Sequence, residues 1–327
     1  MIFALVLAAA HAADPPTPPT STLFSDAEAV AVPTIADRIA EAVRLRQAGD
    51  LNAARSLLIA LEPHLASGDR AEWLYQRGIC EELAFKPEEA REFYTAALNT
   101  PGPVALDARF RRALVLEALG DPQAALADVL ALARLRGLDE NDAITLALQR
   151  GISEVDSGRG RKGVRRIQTA LAAVEGGDTH RYMRAKARYT LARALLDEAA
   201  DLSLDVPAQK RAGKNLVGRA ERMKAAEEQI ISLIQLAEPE WIHASLLALG
   251  DSYGELHRAL IAAPPPRGLT APQVTVYRAE IAKRAEVART KAWHCYEQGI
   301  AVARRLAFES PRVATLHARQ AAMKGEH

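Results

Sequence analysis

The chain has 327 residues, 49% hydrophobic and 25% charged, and its 42 Lys and Arg stand against 41 Asp and Glu for a formal charge of +1. That balance excludes a global field that would draw in nucleic acid. The two cysteines, Cys80 and Cys295, lie far apart inside predicted helices, which excludes a framework of closely spaced disulfides and leaves two lone buried thiols.

At the N-terminus, Ile2 to Ala10 is apolar and Ala10-His11-Ala12 has the small-x-small pattern that signal peptidase cuts. Residues 1–12 are therefore expected to be a secretory signal, cleaved between Ala12 and Ala13. The run is too short for a permanent membrane span, which takes about 20 apolar residues. No Lys or Arg precedes it, and the other reading is a frayed apolar terminus of a cytosolic protein. Residues 13–33 are rich in Pro, Thr and Ala and poor in bulky side chains, which predicts a disordered, extended tether.

From Thr34 onward the periodicity is helical, and no alternating β-branched runs predict strands. Residues 34–47 and 51–64 predict two antiparallel helices joined at Ala48-Gly49-Asp50, where Gly allows the left-handed residue that ends a helix and Asp caps the next. Residues 72–101 predict a second hairpin turning at Lys86-Pro87. Residues 105–136 predict a third turning at Gly120-Asp121, with Pro122 suited to a first helical turn. A fourth, 141–175, breaks at Ser157-Gly158. Beyond Gly176-Gly177 the helices lengthen: 181–200, 207–237, 240–262 and 271–306 are predicted, with a final short helix opening at Ser310-Pro311. Tyr182, Ala185, Tyr189, Ala192 and Leu196 line one side of the first of these.

The first four hairpins share a spacing. Ala54, Ala90, Ala125 and Gly163 follow one another at 36, 35 and 38 residues; twelve positions earlier lie Ala42, Gly78, Ala113 and Gly151, and four positions later Leu58, Tyr94, Val129 and Ile167. Small residues at both positions let two helix axes approach, and the bulky one fills the space beside them. This arrangement resembles the tetratricopeptide repeat (TPR) class, whose period is about 34 residues. The resemblance implies an all-α TPR-like helical-hairpin solenoid, a right-handed superhelix with four repeats over 34–175 and irregular longer hairpins over 176–327. Where the TPR pattern carries a leucine before the first small residue, this chain carries Glu41, Arg77, Arg112 and Arg150.

Residues 250–260, the Pro265 to Leu269 loop, Tyr277, and Lys291-Ala292 with Tyr296-Glu297 resemble the C-terminal part of exported TPR proteins of deltaproteobacterial cell envelopes, some associated with gliding motility. That resemblance covers about the last quarter of the chain and implies a noncatalytic scaffold at the envelope. The last helix of such proteins often carries a tryptophan, which 310–323 lacks.

Few residues announce chemistry. Residues 158–163 match GxGxxG, but that fingerprint needs a preceding strand, and Gly163 is already explained by the repeat. None of the eight histidines forms HExxH or an i, i+4 pair. No cofactor or metal is therefore expected, and no catalytic residue. Within the TPR arrangement Tyr75, Ile79, Glu82, Phe110, Leu114 and Glu117 form a candidate partner groove on the concave face, suited to an extended or helical peptide. The same apolar residues equally fit the stripe that packs between repeats. Arg159, Arg161, Lys162, Arg165 and Arg166 form a cationic stripe, either a solvated helix face or a contact for anionic lipid or an acidic protein surface.

The expected function is thus a noncatalytic scaffold with a protein partner in a periplasmic or cell-envelope complex, without nucleic acid or a transmembrane span. The alternative is a cytoplasmic regulatory TPR module that binds a peptide or small ligand in its groove. An envelope enzyme would instead place a deep polar pocket near His257 and His294.

Overall fold

A computed structural model describes residues 33–174, 180–206 and 209–324. The expected signal at 1–12 and nearly all of the tether lie outside the described residues. Within them every regular element is helical, and the chain is an all-α TPR-like helical-hairpin solenoid.

Six hairpins follow in order: α1 (Ile35–Gln47) with α2 (Leu51–Leu61), α3 (Arg70–Leu83) with α4 (Pro87–Leu98), α5 (Ala105–Ala118) with α6 (Pro122–Leu132), α7 (Glu140–Asp156) with α8 (Gly160–Ala172), α9 (Arg181–Ala200) with α10 (Gln209–Ile234), and α11 (Pro239–Ala262) with α12 (Ala271–Leu306). A last helix, α13 (Pro311–Lys324), folds back onto α12 and α11. Successive first helices touch as well: α1 meets α3, α7 meets α9 and α9 meets α11.

The hairpins nest where the small residues fall. Ala42, Ala54, Ala90, Ala113 and Ala125 are buried, with Leu58, Tyr94, Val129 and Ile167 packed beside them. A methyl group added at Gly78 would stand 2.5 Å from the Tyr94 ring, and one at Gly151 would stand 2.7 Å from Ile167 Cγ1. The long C-terminal hairpin repeats the device, since Gly250 lies against the Tyr296 ring and Gly299 against Leu316.

The four arginine or glutamate positions that replace the TPR leucine find a physical explanation for three of their number. The Arg77 guanidinium lies 4.7 Å from the Phe93 ring centre and 3.2 Å from the Glu81 carboxylate, which Arg55 also reaches at 2.7 Å. Arg112 grips Asp128 with two bonds of 2.8 Å. Arg150 reaches Glu154 at 3.2 Å. Each arginine ends on a buried acid, so a charge-assisted contact stands where the pattern has a leucine side chain. The fourth, Glu41, is exposed.

The turns are also uniform. In all four early hairpins two backbone N–H groups bond back to the end of the first helix, as in Gly120 N to Glu117 O at 3.0 Å and Asp121 N to Leu116 O at 2.9 Å. This double closure requires a left-handed residue. Gly49, Gly120 and Gly158 supply it with φ of 90°, 77° and 84°, but the second hairpin places Phe85 there with φ of 57°. Both cysteines are free; Cys80 is buried as expected, whereas Cys295 is only partly so. Burial pushes the Cys295 thiol up to about 12.

Candidate functional site

The first helices of the hairpins α3/α4 through α11/α12 converge on one cleft of about 570 Å³. Its near lip is the end of α3 and its turn, with Glu82, Leu83 and Phe85; its floor comes from α5 and α7, with Leu114, Glu117 and Ile152; its far wall is α9 and α11. The segment from Phe308 to Arg312, which enters α13, closes the remaining side.

The far wall is aromatic. Trp241 sits 5.6 Å from Tyr182 and 5.5 Å from Tyr189, with the Arg312 guanidinium 5.6 Å from its ring centre. Phe308 stacks at 5.3 Å on His243, which is fully buried, and burial depresses the affinity of that imidazole for a proton. On the near lip, Leu83 and Phe85 are 49% and 53% exposed, so two bulky apolar groups stand open to solvent opposite the aromatic wall.

The charged groups around the cleft are engaged with one another. Lys186 lies 2.6 Å from Glu117, whose other oxygen accepts bonds of 2.6 Å from both Gln149 and Ser153. Arg193 pairs with Asp156, and Arg312 reaches Glu240 at 3.1 Å. Arg111 reaches Glu82 at 3.1 Å, and the Tyr94 hydroxyl donates to the same carboxylate at 2.6 Å. Burial, and then Glu82, holds the Tyr94 phenol well above its ordinary value, so it remains a neutral donor.

Of the six residues expected to form a groove, Glu82, Leu114 and Glu117 line this cleft. Ile79 lies inside the core, Tyr75 packs against it, and Phe110 packs between the α5/α6 and α7/α8 hairpins. Those three therefore fill seams between repeats. On the floor, Glu117 is paired with Lys186. Sequence reasoning had placed Tyr182 and Tyr189 on one helix face but assigned them no site, and it missed Phe85, Trp241 and Phe308.

The cationic stripe divides. Arg166 and Lys162 approach the buried Glu154 at 3.0 Å and 3.8 Å, together with Arg150. Arg159, Arg161 and Arg165 remain exposed at the start of α8. Burial disfavours charge on Glu154, yet Arg166 and then Arg150 prevail and hold its carboxyl below the ordinary 4.5. Because the folded value lies below the unfolded one, this contribution is complete above about pH 4.5 and is lost as pH falls through the folded value. Glu154→Gln is expected to be destabilising at neutral pH and to flatten the loss of stability from pH 5 to pH 3, as read by urea midpoints.

Glycines 158, 160 and 163 sit in the turn and first helical turns after α7, with Gly163 pressed on the Gly151 carbonyl, so Gly163 has no backbone face free for a pyrophosphate. His257 lines a separate cleft with Asp251, Arg258 and Arg319, whereas His294 lies in a different, smaller depression beside Trp293. Among the described residues no group of three or more His, Cys, Asp or Glu is placed to hold a metal, and no described helix is long and apolar enough to cross a membrane.

The geometry defines a class: a helical-hairpin solenoid of TPR type whose first helices share an aromatic cleft. No protein-family description matches the sequence, and no curated protein does. Solved structures similar to it include a tetratricopeptide repeat protein from Parabacteroides merdae ATCC 43184, at 17% identity over 89% of this chain and 98% of that one, with a TM-score of 0.43. A TPR repeats protein from Bacteroides fragilis NCTC 9343 shares 13% identity over 79% of this chain and 99% of that one, with a TM-score of 0.35. The MamA RS-1 ArsTM double mutant shares 16% identity over 59% and 97%, with a TM-score of 0.40.

Proposed function

We propose that the protein is a noncatalytic scaffold that holds a protein partner in the cleft between Phe85 and the wall of Tyr182, Tyr189 and Trp241. Phe85 is the observation that carries this reading. It occupies the left-handed turn position that glycine fills in the other three early hairpins, and its ring is exposed on the cleft lip. A β-carbon in that conformation costs about 1–2 kcal/mol, and with the residue 53% exposed, burial of the ring offsets only part of that cost. Strain kept at an exposed aromatic residue points to use in recognition.

The setting we propose is a periplasmic or cell-envelope complex, and more narrowly a motility-linked one. The apolar run with Ala10-His11-Ala12 supports export, and the resemblance of 250–297 to envelope TPR proteins supports the complex. Arg159, Arg161 and Arg165 would face anionic lipid or an acidic neighbour from the outer side of α8. Subcellular fractionation with the N-terminal residue of the mature protein read directly tests export, and an intact Met1 in the cytosol refutes it.

Phe85→Gly tests the cleft. Removing the strained β-carbon, less the entropy that glycine adds to the unfolded chain, should raise stability by about 0.5–1 kcal/mol. Partner binding should fall about tenfold. A variant that is more stable and still binds fully would remove Phe85 from the site.

A further inference from the structure

We infer that one edge of the solenoid, formed by its hairpin turns, seats on an anionic lipid bilayer through two clusters of unpaired cations and the aliphatic side chains beside them. The seat rests on the anion contact proposed for Arg159, Arg161 and Arg165 and extends it to a second helix.

The turns of successive hairpins fall along this edge. Gly120, Gly158 and Asp201, from the α5/α6, α7/α8 and α9/α10 turns, line a single depression, and Gln123 donates to the Ser157 carbonyl at 3.0 Å. The edge continues to the last hairpin, because Leu204 of the α9/α10 turn packs with Leu216 of α10, Leu260 of α11 and Ile281 of α12. Every second helix starts from such a turn, so α8 and α10 begin on the same edge.

Each brings a cluster of cations. Arg159, Arg161 and Arg165 open α8, and Lys210, Arg211 and Lys214 open α10; all are exposed, and none of their side chains has an ion pair or hydrogen bond among the described residues. The exposed carboxylates of Asp197, Asp201 and Asp205 lie between the clusters and leave the cations in excess. Folding does not account for this placement. Cations are favoured near the end of a helix and disfavoured at its start, where the dipole is positive, and neither helix has an acidic residue in its first turn. An anion arriving from outside relieves the repulsion.

The spread of the charges selects a surface over a pocket ligand. Both α8 and α10 touch α9, so two helix spacings of about 10 Å put the clusters about 20 Å apart. A small anion meets one cluster, whereas a sheet of headgroups meets both. Val217, one turn beyond Lys214, is 58% exposed, and Ile261, at the end of α11, is 54% exposed. Aliphatic side chains beside basic ones suit the boundary between headgroups and acyl chains, and each Lys or Arg near an anionic leaflet strengthens binding about fivefold.

The test floats the full chain with vesicles of pure phosphatidylcholine and with vesicles in which about one third of the lipid is phosphatidylglycerol. Binding is expected to the mixed vesicles alone, and should weaken as salt rises from about 0.1 M to about 0.5 M. Arg161→Gln/Arg165→Gln and Lys210→Gln/Arg211→Gln/Lys214→Gln should each lower it at least about tenfold, and Val217→Ser/Ile261→Ser about fivefold. Circular dichroism checks that the variants stay folded; should the triple variant unfold, Lys210→Gln/Lys214→Gln carries the comparison. A loss in the α8 variant alone overturns the bilayer seat and leaves the anion contact of α8 standing, whereas a loss in neither cation variant overturns both. Equal binding to pure phosphatidylcholine overturns the seat as well. Binding to immobilised polyglutamate without binding to the mixed vesicles overturns it in favour of an acidic protein.

Discussion

Gly163→Ala is expected to lower the unfolding free energy by about 3 kcal/mol, as overpacking against a surface that cannot yield. The added methyl group would lie 2.5 Å from the Gly151 carbonyl oxygen and 2.7 Å from the Val155 amide nitrogen. Both are backbone atoms of α7, so no side chain can rotate to make room, and the two helices must move apart. Separation would expose Ile167 and Ile152, which are buried between them. Gly160→Ala, at the first position of α8 and with open space around it, supplies the control. That substitution should change stability by less than about 0.5 kcal/mol. Guanidinium unfolding followed by circular dichroism reads both; equal midpoints for the two variants would mean that the hairpin does not nest at Gly163.

Lys186→Met is expected to cost about 3–5 kcal/mol, because it leaves the Glu117 carboxylate buried without its counter-ion. The two side chains are 8% and 7% exposed and 2.6 Å apart. The pair joins three successive first helices, since Glu117 comes from α5, Gln149 and Ser153 from α7, and Lys186 from α9. Adding Glu117→Gln should recover most of the loss, because a neutral amide still accepts from Gln149 and Ser153. A double variant as unstable as Lys186→Met alone would show that the lysine acts through packing, not through charge.

Much of the fold was legible because its signal is local. The recurrence at Ala54, Ala90, Ala125 and Gly163 marks the closest approach within each early hairpin, and helical periodicity carried through the long C-terminal helices. The same nesting at Gly250 and Tyr296 lies outside that period, because longer helices separate the partners by 46 positions, against 16 for Gly78 and Tyr94. The cleft was less legible. Its near lip and floor hold Glu82, Leu114 and Glu117, which the repeat register puts on the concave face. Its far wall comes from α9, α11 and the entry to α13, and nothing in a one-dimensional period states that the solenoid brings those elements opposite α3. Phe85 did carry a signal, since it breaks a run of glycines at Gly49, Gly120 and Gly158. The arginines at 77, 112 and 150 looked like departures from a helix-packing pattern because their partners Glu81, Asp128 and Glu154 were unseen.

Site-directed photocrosslinking in cells tests the central claim most directly: a benzoylphenylalanine is placed in turn at Phe85, at Tyr182 and at Ile59, which is exposed on the outer helix α2. The cleft account predicts adducts to one and the same protein from Phe85 and Tyr182 and none from Ile59. Adducts to that protein from Ile59 alone would contradict it.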